Sequence, residues 1–175
     1  MPIDTNIDFV AINIGVITIS DSRTIENDTS GDTLEKRIMG SGHHMIKRTI
    51  IPDDVNVIKE TLQAMSKAKE IDCIITTGGT GLTGRDTTPE AVKEIASKHI
   101  DGFGELFRQV SFEKIGTSAI QSRAIAALIN STYVFCLPGS TGACKDGWDE
   151  ILKYQLDIRH KPCNFVEIMP RLNEK

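Results

Sequence analysis

Residues 71–95 read IDCIITTGGTGLTGRDTTPEAVKEI, and this stretch decides the architecture. Residues 71–76 (IDCIIT) form a short apolar run, as expected of a strand covered on both faces. Thr88-Pro89-Glu90 then reads as an N-cap, a proline at the first helical position and an acid in the first turn, with Val92 and Ile95 on the buried side. Strand, loop and helix in that order form a βα unit, which implies right-handed crossovers and a parallel sheet.

The same alternation continues on both sides. Upstream, residues 12–20 (INIGVITIS) form another buried strand, and Thr29-Ser30-Gly31-Asp32 opens a helix carrying Leu34 and Ile38 that Gly40 and Gly42 stop. Residues 45–51 read as a strand. Asp54 caps a helix with Val55, Ile58, Leu62 and Met65 at steps of three and four. Downstream, one helical stretch carries Phe103, Leu106, Phe107 and Val110, and a second spans residues 120–129. Phe103, Phe107 and Phe112 fit either an interface or an internal core. Residues 133–137 (YVFCL) form a strand, Pro138-Gly139-Ser140-Thr141 turns the chain, and Asp146 opens a last helix with Trp148, Leu152 and Leu156. The expectation is a single three-layer α/β domain over residues 12–159, with a mostly parallel sheet and helices on both faces. Residues 1–11 form an N-terminal tail. Residues 160–175, broken by Pro162 and Pro170, form an extended C-terminal tail.

Composition narrows the partners. The 175 residues include 20 Lys plus Arg against 24 Asp plus Glu, a net charge of −4 with no basic run, which argues against nucleic acid. The longest mostly apolar stretch, residues 9–19, is interrupted by Asn13 and Gly15 and is too short to cross a bilayer. No basic region precedes it as in a secretory signal. The expectation is therefore a soluble, cytoplasmic protein without a membrane partner. Cys73, Cys136, Cys144 and Cys163 lie far apart without a Cys-x-x-Cys pair, and Cys73 and Cys136 sit in apolar runs as small hydrophobes. His43, His44, His99 and His160 are scattered and carry no assigned chemistry.

In an open parallel sheet, ligands bind beyond the carboxyl ends of the strands. The four strands run into Ser20-Asp21-Ser22-Arg23, Pro52-Asp53-Asp54, the 76–86 loop and Pro138-Gly139-Ser140-Thr141-Gly142, all polar, although turns favour such residues anyway. Gly79-x-Gly81-x-x-Gly84 matches a dinucleotide fingerprint in form but follows the third strand, not the first. A P-loop fails because Arg85-Asp86 stands where Lys-Ser/Thr is required. A nicotinamide-dependent oxidoreductase is accordingly a poor reading. What survives is backbone N–H groups converging on an anion, with hydroxyls from Thr76, Thr77, Thr80 and Thr83. Asp86 would repel phosphate there unless a divalent cation intervenes. Mg²⁺ takes one or two carboxylates plus phosphate oxygens, and Asp53 can supply the second. From position alone, Asp53 fits equally a helix cap shared with Asp54, and Asp86 a turn acid paired with Arg85.

Thr77-Gly78-Gly79-Thr80-Gly81, followed by Asp86 and Thr88-Pro89-Glu90, resembles the central motif of the MoaB/MogA family of molybdenum cofactor biosynthesis proteins. The likeness continues through Ser20-Asp21, Asp28-Thr29-Ser30-Gly31, Gly102-Phe103-Gly104-Glu105 with Arg108, Ser122-Arg123 and Pro138-Gly139-Ser140. Residues 113–118 and 162–165 resemble the MoaB branch. The resemblance implies a protein that binds molybdopterin and adenylylates its terminal phosphate with Mg-ATP, releasing pyrophosphate. Carried over by position, Asp53 and Asp86 would be the catalytic, Mg²⁺-binding carboxylates. Gly78, Gly79, Thr80 and Gly81 would cradle phosphate. Ser20, Asp21, Ser30, Gly31, Thr77, Glu105, Gly139, Ser140 and Thr141 would complete the substrate site. The resemblance breaks at Gly142, where many relatives carry a lysine; Lys145 is the nearest here, and Arg85 or Arg23 is left to supply a cation. It also implies a homotrimer or homohexamer. A molybdopterin-binding or scaffold protein without turnover is the alternative.

Overall fold

Continuous apolar runs become the central strands. The computed structural model describes residues 3–174. Six strands, β1 (Asn13–Ile19), β2 (His44–Ile51), β3 (Cys73–Thr77), β4 (Lys98–His99), β5 (Ile125–Ile129) and β6 (Thr132–Leu137), form one sheet in the order β2-β1-β3-β6-β5-β4. The first four neighbours in that order are mutually parallel. β5 runs antiparallel to β6, and β4 antiparallel to β5. One face is covered by α1 (Thr29–Gly40), α4 (Asp101–Ile115) and α5 (Thr141–Asp146), with Leu34, Phe103, Phe107, Phe135 and Trp148 in its core. The other is covered by α2 (Val55–Ser66) and α3 (Thr88–Ile95), with Ile58, Leu62, Met65 and Val92 against Ile74 and Val134. The three-layer α/β expectation holds.

Local chemistry sets the helix starts. Asp54 caps α2 by accepting from the Asn56 and Val57 N–H groups, and Asp28 caps α1 from Gly31 N–H. Asp28 is 1 % exposed and is paired with Arg48 of β2 at 2.8 Å, which also reaches Asp32 and Glu35. α1 then meets the turn after β6: Ser30 Oγ donates to the Gly139 carbonyl at 2.8 Å, and the Thr29 and Thr141 hydroxyls lie 3.1 Å apart.

Several expectations are corrected. Residues 120–129 are not a helix. A 3₁₀ segment, Gly116–Gln121, ends there, and β5 follows as one arm of a hairpin with β6. The two-residue turn Asn130-Ser131 has both residues at positive φ (48° and 68°), the twist a tight antiparallel hairpin needs. The final long helix begins at Thr141, capped by Ser140, rather than at Asp146. It continues through a π-helical stretch, Gly147–Leu152, into α6 (Lys153–Gln155). Residues 160–174 are not simply extended, because they carry α7 (Phe165–Ile168) and a 3₁₀ turn. Val166 and Phe165 pack into the core there, and apolar burial overrides the two prolines. Thr87, not Thr88, is the N-cap of α3. Phe103 and Phe107 are internal while Phe112 is exposed, so that stretch divides between the two roles. The N-terminal tail bridges back through Ile3 to His160; its Met1 and Pro2, and Lys175 of the C-terminal tail, lie outside the described residues. Cys73, Cys136 and Cys144 are buried free thiols and Cys163 is exposed. No helix among the described residues is long and apolar enough to cross a membrane.

Candidate active site

The carboxyl ends of β2, β1, β3 and β6 lie side by side, so the polar segments that follow them meet at one rim. A cavity of about 690 Å³ opens there. Gly78 and Gly79 turn the loop after β3 with φ of 108° and 64°, and a Cβ on Gly78 would lie 2.1 Å from the Ile19 carbonyl oxygen. Thr88 Oγ1 donates to the Gly78 carbonyl at 3.1 Å, and Thr88 N–H to the Gly79 carbonyl at 3.0 Å. Carbonyl and N–H of a trans peptide point opposite ways, so the Gly79 and Thr80 N–H groups turn away from Thr88. Both residues line the cavity, where such N–H groups suit an anion.

Asp53 and Asp86, far apart in sequence, line this same cavity. Asp53 Oδ1 accepts from Thr87 N–H at 3.1 Å and from the Thr87 hydroxyl at 2.9 Å. Asp53 Oδ2 lies against Gly79, where a Cβ would come within 2.8 Å of it. Burial raises the Asp53 carboxyl above its ordinary value against the two Thr87 hydrogen bonds, and the negative charges of Asp86 and Asp21 add to the rise. Asp86 Oδ2 accepts from the Thr83 hydroxyl at 2.6 Å and from Thr83 N–H at 2.9 Å. These bonds, the Thr83 hydroxyl foremost, lower the Asp86 carboxyl against burial, with help from Gly81 N–H and the Arg123 charge. A Cβ on Gly81 would sit 2.7 Å from Asp86 Oδ2. The two loop glycines therefore fit one against each carboxylate, and any side chain there would fill the space between them.

Ser20, Asp21, Asp53, Gly78, Gly79, Thr80, Gly81, Asp86, Gly139 and Ser140 all line the cavity. Ser30, Gly31, Thr77 and Thr141 do not. Ser30 and Thr77 lie behind the wall, Ser30 bonding Gly139 and the Thr77 hydroxyl donating to the Pro138 carbonyl at 3.0 Å, while Gly31 N–H bonds Asp28 and the Thr141 hydroxyl meets Thr29. Glu105 is elsewhere, beside Arg108 and His99 in a second cavity of about 480 Å³ at the β4–β5 edge. The opposite wall was not readable from motifs: Phe107, Ser111 and Ile115 of α4, then Ser118, Ala119 and Gln121 of the 3₁₀ segment. A wall contributed from across the fold leaves no local pattern, and only the stretch 113–118 hinted at it. Gly142 lines the cavity without a side chain. Arg85, paired with Asp21, is the basic side chain in the wall among the described residues.

A family model described as "Probable molybdopterin binding domain" matches residues 15–158. The chain belongs to that family. The matched span encloses every residue of the cavity wall. Within it the chain is of the MoaB type. Molybdenum cofactor biosynthesis protein B of Escherichia coli (strain K12) is 41% identical over 158 residues, covering 90% of this chain and 93% of that protein. A crystal structure of molybdenum cofactor biosynthesis protein B matches with a TM-score of 0.85 at 36% identity, covering 95% of this chain and 98% of the other. The tungsten cofactor synthesizing protein MoaB from Pyrococcus furiosus matches with 0.72 at 35%, covering 81% and 91%.

Mg²⁺ suits this donor set. Among the described residues no three His, Cys, Asp or Glu side chains form a protein-only metal cage. Two carboxylates beside the Gly79 and Thr80 N–H groups match the mode in which Mg²⁺ completes its shell with substrate phosphates and water.

Proposed function

We propose that this MoaB-type chain binds molybdopterin and transfers AMP from ATP to its terminal phosphate, with pyrophosphate leaving. The observation that carries this reading is the placement of Asp53 and Asp86 on one cavity with the Gly78-Gly79-Thr80-Gly81 turn between them. In the transfer, an oxygen of the pterin phosphate bonds to the α-phosphorus of ATP while the bond to the β-phosphate oxygen breaks. The attacking phosphate is already anionic, so the protein need supply neither nucleophile nor base, and its contribution is alignment and charge compensation. Gly79 and Thr80 N–H groups hold phosphate oxygens, Asp53 and Asp86 hold Mg²⁺, and Arg85 exchanges Asp21 for a phosphate. Mg²⁺ bound there would neutralise the polyphosphate and polarise the α-phosphoryl group. Phe107, Ile115 and Ala119 give the pterin an apolar wall, with Ser111, Ser118 and Gln121 for its polar edges. Pterin and nucleotide are the partners, and the site of action is the cytoplasm.

The test is pyrophosphate release from Mg-ATP with molybdopterin present. The chain should release pyrophosphate, and Asp86→Asn should slow it by at least about a hundredfold, the scale of a lost charge-stabilising group. Equal release from both would leave only the non-catalytic binding role. An oligomer is supported by Phe112 and Ile120, apolar yet 58 % and 83 % exposed on an apolar groove. The chain is accordingly proposed to assemble as a trimer or hexamer; a light-scattering mass of one chain would contradict that.

A further inference from the structure

Arg123 lies between the 3₁₀ segment and β5, outside the cavity wall, yet its contacts converge on the loop that carries the site. Its Nε donates to the Gly81 carbonyl at 2.7 Å and its Nη2 to the Asp86 carbonyl at 2.7 Å. Its backbone N–H donates to the Thr80 carbonyl at 3.3 Å. Nη1 is held by the carboxylate of Glu90, in the first turn of α3.

One of these carbonyls belongs to a peptide unit whose N–H group serves an aspartate. The Asp86 carbonyl shares its peptide with Thr87 N–H, which donates to Asp53 Oδ1 at 3.1 Å. Because a trans peptide aims its two polar groups in opposite directions, gripping the carbonyl from behind aims the N–H forward. Hydrogen bonding at the carbonyl also polarises that N–H, so the contact strengthens as well as directs.

We propose that Arg123 is a positioning residue that orients Asp53 through the Asp86–Thr87 peptide unit, while touching neither substrate nor metal. The proposal rests on the adenylylation reading for its consequence in catalysis, but the geometry it describes belongs to the chain alone. Lysine, whose three N–H donors radiate from one nitrogen, does not reproduce the planar fork that spans the Gly81 and Asp86 carbonyls through Nε and Nη2.

The experiment uses the full chain as Arg123→Lys and Arg123→Ala, each checked by thermal melting, with ¹⁵N-labelled samples for amide NMR. In the folded variants without substrate, the Thr87 amide proton should move upfield and exchange faster, while amides in the middle of α2 stay unchanged. With Mg-ATP and molybdopterin, kcat for pyrophosphate release should fall about tenfold to a hundredfold, the usual loss when a supporting hydrogen bond is removed, with KM for ATP little altered. Guanidinium ion at low concentration should restore part of the Arg123→Ala rate and shift the Thr87 amide back. An unmoved Thr87 signal in either folded variant would overturn the proposal, as would a defect confined to KM. Should the unaltered chain release no pyrophosphate, the functional reading falls, and the amide signals still decide the role of Arg123.

Discussion

At the residue scale, the site combines two carboxylates with opposite tuning. Asp86 is lowered by Thr83 and Asp53 is raised by burial. A carboxyl raised in the folded state favours folding when protonated. That contribution is present below the ordinary carboxyl value and is lost as pH rises through the raised one. At neutral pH, ionised Asp53 thus weakens the fold, a cost in keeping with the metal-holding role proposed for it. Asp53→Asn keeps an acceptor for Thr87 and removes the charge. It should raise the melting temperature at pH 7 while abolishing pyrophosphate release, and a fall in melting temperature would contradict the account. The sequence named both aspartates because each follows a strand end. It left Asp53 equally readable as a cap shared with Asp54, since the contact that separates the readings comes from Thr87, 34 residues away. Arg123 was legible only as part of a motif, because its partners at Gly81, Asp86 and Glu90 are set by tertiary structure.

At the element scale, the register of α1 against β2 depends on a buried ion pair. Burial works to raise the Asp28 carboxyl, but Arg48, Gly31 N–H and the Thr18 hydroxyl outweigh it and leave it lowered. The Arg48 side chain is 11 % exposed and bridges three carboxylates. Arg48→Met would leave Asp28 buried without its cation, which costs about 3–5 kcal/mol. Denaturant unfolding should show that loss at pH 7, and the unsubstituted chain should lose the same contribution as pH falls below the ordinary carboxyl range. An unchanged midpoint would show that the pair contributes nothing net. Parallel strands and their helices were readable because buried runs such as 12–20 and 133–137 and the Asp54 cap are local signals. The alanine-rich stretch 124–129 misled because it suits a helix by propensity, whereas the Asn130-Ser131 turn and pairing with β6 make it a strand.

At the scale of the whole molecule, four strand ends on one rim turn separate sequence segments into one cavity, and α4 with the 3₁₀ segment closes it from across the sheet. The topology explains why the likeness to MoaB proteins extends over nearly the full chain: the site has no single motif, and its parts keep their spacing only if the domain does. The claim on which this rests, that the β2 and β3 ends share one metal–nucleotide site, is open to direct measurement with paramagnetic Mn²⁺ in place of Mg²⁺. Adding Mn²⁺ and ATP to the ¹⁵N-labelled chain should broaden the amide signals of Asp53, Gly79, Gly81 and Asp86 together and spare Asn130 and Ser131 at the opposite end of the sheet. Asp53→Asn and Asp86→Asn should each weaken the effect. Broadening around only one of the two aspartates, or broadening that survives both substitutions, would contradict a shared site.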